Sequence, residues 1–150
     1  MSRLCIIPCG AKKVWDKEPD AAPTKAKDVY IGTFSRACQR YAIEFIGDWV
    51  ILSAKHGFLH PTDTVEHNYD VSFTSKSSEI ISIDQLKEQM GDKGLNDYDE
   101  VIVLGGKKYR RVVEKLFPNE KLTYPLNGCK GIGFMLQKLN RSIKNGEEIK

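Results

Sequence analysis

The chain has 150 residues, 41% hydrophobic and 29% charged, with a net charge of +3. This is the balance of a soluble globular protein with one core, so a single domain over residues 1–150 is expected. No apolar run nears the roughly 18 residues that cross a bilayer, and the run before Pro8 is too short for a secretion signal, so a cytoplasmic setting is expected. So mild a charge permits a polyanionic partner without requiring one.

Leu4-Cys5-Ile6-Ile7, closed by Pro8 and Gly10, reads as a buried parallel strand. The small-residue turn Pro8-Cys9-Gly10-Ala11 leads to Lys12 and Lys13, which can meet an anion; the spacing is not that of a P-loop. Val14 to Thr24 reads as loop, and Ala26 to Ile31 as a short helix or an extended piece. Phe34, Ala37, Cys38, Tyr41, Ala42 and Phe45 have helical spacing, with Thr33 or Ser35 as cap and Gly47 as stop. Trp49 to Leu52 is the second strand. After a polar loop, Ile80, Ile83, Leu86 and Met90 mark a helix capped by Ser78 or Ser82. Glu100 to Leu104 is the third strand, and Lys107 to Phe117 its helix. Leu122 to Tyr124 is the fourth strand, and Ile132 to Ile143 the last helix, followed by a frayed polar tail from Lys144.

Strand and helix thus alternate four times. The pattern predicts a three-layer α/β/α fold with a four-stranded parallel sheet, whose strand C-termini all reach one edge. Ligands bind at that edge in such folds. The loops expected there are Pro8 to Lys13, Ser53 to Asp70, Gly105 to Lys107 and Asn127 to Gly131.

The Ser53 to Asp70 segment is the densest in chemistry. It holds all three histidines, His56, His60 and His67, with Lys55, Asp63, Glu66 and Asp70. Three readings stand side by side. His56, His60 and His67 with Asp63 could hold a metal, although Gly57 and Pro61 break the helical spacing this would use. Asp63 or Asp70 could activate water while Lys55 or His56 meets developing negative charge. Thr62-Asp63-Thr64 and Asn68-Tyr69-Asp70 are also ordinary turn material. The four cysteines, Cys5, Cys9, Cys38 and Cys129, form no CxxC pair, so reduced thiols and no metal or other cofactor are expected. Gly105-Gly106-Lys107-Lys108, before Tyr109, and Asn127-Gly128-Cys129-Lys130-Gly131 each open a helix and suit phosphate contact, though either could be a plain turn. A third glycine and downstream acid are missing, which argues against a dinucleotide site.

Pro8 to Lys13, Ala26 to Phe34, Leu52-Ser53-Ala54-Lys55-His56-Gly57-Phe58-Leu59-His60-Pro61 and Tyr69-Asp70 together resemble a YaaA-like family of uncharacterised bacterial and phage proteins. Val101 to Gly106 and Pro125 to Gly133 resemble, more distantly, the third-strand segment and last motif of the uracil-DNA glycosylase superfamily. The sequence departs from that pattern: its first strand ends in Pro8-Cys9-Gly10 instead of a Gly-Gln-Asp-Pro-Tyr-type loop, and Thr123 and Tyr124 stand where a histidine is expected. Pro8-Cys9 with Lys12-Lys13 is also similar to the core motif of archaeosine synthases, which act on a base in tRNA.

These resemblances imply a uracil-DNA glycosylase-like fold and a nucleobase-acting enzyme, a DNA glycosylase-like hydrolase of a modified or damaged base. DNA is a more natural partner than RNA, in a setting of repair or phage defence, with a monomer or weak oligomer as the working form. On this reading Asp70 or Asp63 orients or activates water, and Lys55 and His56 stabilise the leaving base or the flanking phosphate. Cys9, Gly10, Lys12, Lys13, Ser53, Gly57, Tyr69, Gly105, Gly106, Lys107, Tyr109, Asn127, Lys130 and Gly131 hold the substrate. The alternatives are a non-catalytic DNA-binding stress protein and a small-nucleotide-binding module of Rossmann type.

Overall fold

The computed structural model describes residues 2–150. In chain order the elements are β1 (Arg3–Pro8), α1 (Val14–Lys17), β2 (Thr24–Lys25), α2 (Ala26–Val29), α3 (Thr33–Phe45), β3 (Asp48–Ser53), β4 (Gly57–Leu59), β5 (Thr64–Val65), α4 (Ile83–Asp92), β6 (Glu100–Val103), α5 (Lys107–Val113), β7 (Leu122–Thr123) and α6 (Ile132–Asn145). Five strands form a mixed, mostly parallel sheet in the order β4-β3-β1-β6-β7; β2 and β5 pair apart from it. The four expected parallel strands are β3, β1, β6 and β7.

The continuous apolar runs explain this sheet, because its central strands are buried on both faces. In β1, Cys5 and Ile7 point to a cluster with Ala37, Cys38, Tyr41 and Ala42 of α3 and Leu139 of α6. Leu4 and Ile6 point the other way, to Leu86 and Met90 of α4 and Val112 and Val113 of α5. Helices therefore cover both faces of the sheet. No helix among the described residues is long and apolar enough to cross a membrane.

Several expectations need correction. Ser53 to Asp70 is not one loop at the strand C-termini. Gly57, with φ +75°, lets the chain reverse, and β4 runs back antiparallel to β3. A Cβ on Gly57 would lie 2.2 Å from Gln89 Oε1, so only glycine fits. The reversal is fastened by Gln89, whose Oε1 accepts from Phe58 N–H at 2.8 Å and whose Nε2 donates to the His56 carbonyl at 2.9 Å. Val14 to Thr24, expected as loop, contains α1 because Trp15 buries its ring and donates to the Ala21 carbonyl. Helix α3 starts at Gly32 with no side-chain cap, rather than on Thr33 or Ser35. Helix α4 does start on Ser82, in a capping box with Gln85. The tail is fastened, not frayed: Glu148 takes both terminal nitrogens of Arg3, at 2.9 and 2.7 Å.

Candidate functional site

The strand order changes direction between β1 and β6: from β1 the chain crosses to β3 on one side, and later returns to β6 on the other. The loops leaving β1 and β6 must separate there, which leaves a crevice at the strand C-termini. A crevice of about 640 Å³ occupies this point. Cys9, Gly10, Lys12, Gly105, Gly106, Tyr109 and Gly131 line it, as the sequence led us to expect. A Cβ on Gly105, at φ +137°, would lie 3.2 Å from Tyr109 and 3.6 Å from Pro8. Phe34 and Tyr109 supply aromatic wall, and Ile132 and Met135 apolar wall.

The long helices α3 and α6 both begin at this crevice, on Gly32 and Gly131, and neither has a side-chain cap. Their first-turn N–H groups and dipoles favour an anion there. Lys12 and Lys108 add positive charge at the rim. No carboxylate lines the crevice.

A buried polar cluster adjoins it. Tyr69 Oη pairs with Ser53 Oγ at 2.7 Å and with Tyr30 Oη. Ser53 Oγ also accepts from the N–H groups of Lys55 and His56, at 3.3 and 3.1 Å. Burial pushes the Tyr30 phenol up to about 12, and Tyr69 is raised for the same reason, so both remain hydrogen-bond donors at neutral pH. Lys13 is only 3% exposed. Its Nζ lies 4.4 Å from the Tyr69 ring centroid and donates to the Ala11 carbonyl at 3.1 Å. Burial lowers its pKa, while Cys9, Asp16 and Asp70 favour its charged form. Cys9 lines the crevice with its Sγ 3.4 Å from Tyr109 Oη, and it is within electrostatic reach of Lys13, Tyr30 and Tyr69 in the cluster.

The remaining expected residues divide. His56 packs edge-on against Tyr69 at 4.9 Å, its Nε2 buried without a partner. Burial, and then Lys55, lower its pKa. Lys55 pairs with Glu79 at 3.4 Å. Asp70 is exposed and within electrostatic reach of Lys13. Asp63 is carried away by β4; it accepts from His60 N–H at 2.8 Å and pairs with Lys93 Nζ at 2.7 Å. Burial alone would raise its pKa, but Lys93 and the His60 N–H hold it below the usual carboxylate value. It is a turn acceptor, not part of the crevice. His60 lines a separate hollow with Leu4, Asp48 and Tyr98 near the strand N-termini. This placement also separates His56 from His60, and the described residues contain no cluster of metal-binding side chains. Gly57 serves the chain reversal. Lys107 and Asn127 line a neighbouring cavity of about 300 Å³ with Arg110. Lys130 lines a groove along α6.

The sequence reading missed Tyr30, Phe34, Ile132 and Met135. Phe34 and Met135 have core-like helical spacing, and the partner of Tyr30 is 39 residues away; the one local sign was that Tyr30 and Phe34 lie in the family-like Ala26 to Phe34 stretch.

Comparison with known proteins agrees with an uncharacterised family. A protein of Bacillus subtilis (strain 168) described as uncharacterized protein YfjM is 51% identical over 150 residues, covering 99% of this chain and 100% of its own length. Residues 4–141 match the model of a family of unknown function, DUF6884, and the chain belongs to that family.

Proposed function

We propose that this protein is a nucleobase-acting enzyme, a glycosylase-like hydrolase that receives the nucleotide unit of a modified base in the crevice between β1 and β6. The observation that carries the reading is one crevice that combines aromatic walls, Phe34 and Tyr109, with the uncapped starts of α3 and α6. Flat rings suit the walls, and a phosphate suits the helix starts. The four parallel strands with a site at their C-terminal ends support the likeness to the uracil-DNA glycosylase superfamily. Its known chemistry enters by analogy of fold alone.

In this reaction water attacks the anomeric carbon, the glycosidic C–N bond breaks, and the base leaves with the bonding electron pair. Asp70, within electrostatic reach of Lys13, orients the water and takes its proton. Lys13, buried with the hydroxyls of Tyr69 and Tyr30 and not among the crevice's lining residues, favours the negative charge of the departing base through its field. Lys55 and His56 support the cluster from the β3 end. The test is incubation with oligonucleotides carrying varied modified bases, scoring abasic sites. Base release that is lost in Asp70→Asn supports the reading. Release from no substrate sinks it.

The absence of a carboxylate among the crevice's own lining residues favours a second reading, a small-nucleotide-binding module without hydrolysis. It predicts thermal stabilisation by free nucleotides and no product.

A further inference from the structure

The net charge of +3 hides a strong segregation. Residues 79–100 carry seven carboxylates and two lysines; residues 105–146 carry ten lysines and arginines and two carboxylates. The basic stretch contains α5, β7 and α6, from one wall of the crevice to the β7 edge of the sheet. A groove of about 490 Å³ follows α6, lined by Lys130, Phe134, Gln137, Lys138 and Arg141 among others, with no carboxylate.

Two large apolar side chains stand in the open beside these cations: Ile132 is 63% exposed and Phe134 60%. The core-facing stripe of α6 is Met135, Leu136, Leu139 and Ile143, so neither exposed residue is needed for packing. Ile132 lines the crevice, and Lys130 and Phe134, two residues to either side of it in sequence, line the groove, so groove and crevice are neighbours at the start of α6. An aromatic face among regularly placed cations is the arrangement that binds a single nucleic-acid strand, with bases stacked on the ring and phosphates on the cations. A duplex keeps its base faces inside its own stack and offers Phe134 nothing to stack on.

We propose that the α6 face is a track for one unpaired polynucleotide strand. Lys130, Lys138 and Arg141 take its phosphates, Phe134 stacks one base, and the neighbouring nucleotide passes Ile132 into the crevice. This deepens the nucleobase reading of the crevice and rests on it: the substrate base arrives in a strand, not free. Lys138 already donates to the Pro125 carbonyl at 2.9 Å, which steadies its amine and leaves two N–H groups for a phosphate.

The test is fluorescence anisotropy with a labelled single-stranded deoxyoligonucleotide and its duplex. The proteins are wild type, Phe134→Ala, and Lys130→Glu/Lys138→Glu/Arg141→Glu; all four positions are at least partly exposed, and thermal melting checks their folding. A nucleoside monophosphate, followed by its thermal shift, reports the crevice separately. The single strand is expected to bind at least about tenfold tighter than the duplex, with a log–log salt slope of about −2 for three phosphate contacts. Phe134→Ala should lose about tenfold or more, as removal of one stacking ring does, and the triple reversal should abolish binding. Phe134→Ala should leave the monophosphate shift unchanged. Equal binding of strand and duplex, or an unchanged affinity in Phe134→Ala, overturns the track. So does effective competition by vesicles of equimolar phosphatidylserine and phosphatidylcholine. If the monophosphate stabilises the protein but the strand binds no better than it, the track falls and the crevice reading survives. If the strand binds in a Phe134-dependent way and the monophosphate has no effect, the track is supported and the crevice reading falls.

Discussion

Lys13 is the residue on which structure and function pull in opposite directions. It is almost fully buried, with a carbonyl and an aromatic face for company. Folding must remove this ammonium from water, and burial lowers its pKa below the ordinary 10.5. The unfolded chain therefore holds this proton more tightly than the folded one. The full cost is present below the folded pKa and disappears as pH rises towards the unfolded value. Lys13→Met should consequently raise Tm near neutral pH by about 2 °C, the span of under about 1 kcal/mol in a domain of this size, while ending base release. The Tm gap to wild type should shrink as pH approaches 10; calorimetry across that range checks the sign. Asp63 gives the opposite case. Lys93 and the His60 N–H hold its pKa down, so its contribution is present above the unfolded carboxylate value and fades as pH falls through the folded one. Because the pair is partly exposed, Asp63→Asn should cost only about 0.5–1 kcal/mol. It should leave nucleotide binding and base release at wild-type levels, and its Tm should converge with wild type in acid.

At the scale of elements, the β3–β4 reversal decides which polar residues meet. Ser53 stays at the strand C-termini, and the chain then leaves with His60 and Asp63 before returning with Tyr69 and Asp70. Gly57→Ala tests this device. Its Cβ would overlap Gln89 Oε1 and Ile81 at a φ that disfavours side chains. The expected cost is at least about 2 kcal/mol, or about 4–8 °C in Tm, measured by thermal melting. The loss should be accompanied by increased proteolysis after Lys55, at the turn. Gly105→Ala also strains the backbone, at φ +137°, and its added carbon meets Tyr109 at 3.2 Å. Its effect should fall on the crevice: weaker nucleotide binding, read by the loss of ligand-induced stabilisation.

For the whole molecule, the opening of the sheet between β1 and β6 sets the site, and the segregation of charge sets what approaches it. The parallel strands were legible because Leu4 to Ile7, Trp49 to Leu52 and Val101 to Leu104 are apolar runs that only a doubly covered sheet can bury. Helices α3, α4 and α6 were legible from their 3.6-residue stripes. The crevice loops followed from glycines after strands, since parallel topology sends all such loops to one edge. Those are local patterns, and local energetics suffices to specify them. What the tertiary structure alone decided was long-range. The antiparallel β4 moved Asp63 out of the site, because its course depends on Gln89, more than thirty residues away in sequence. Tyr30 joined Tyr69 and Ser53 because three separate elements converge on one buried space. Lys13 lost its solvent in the same convergence. Composition shows that a lysine is present; only packing decides whether it keeps its water.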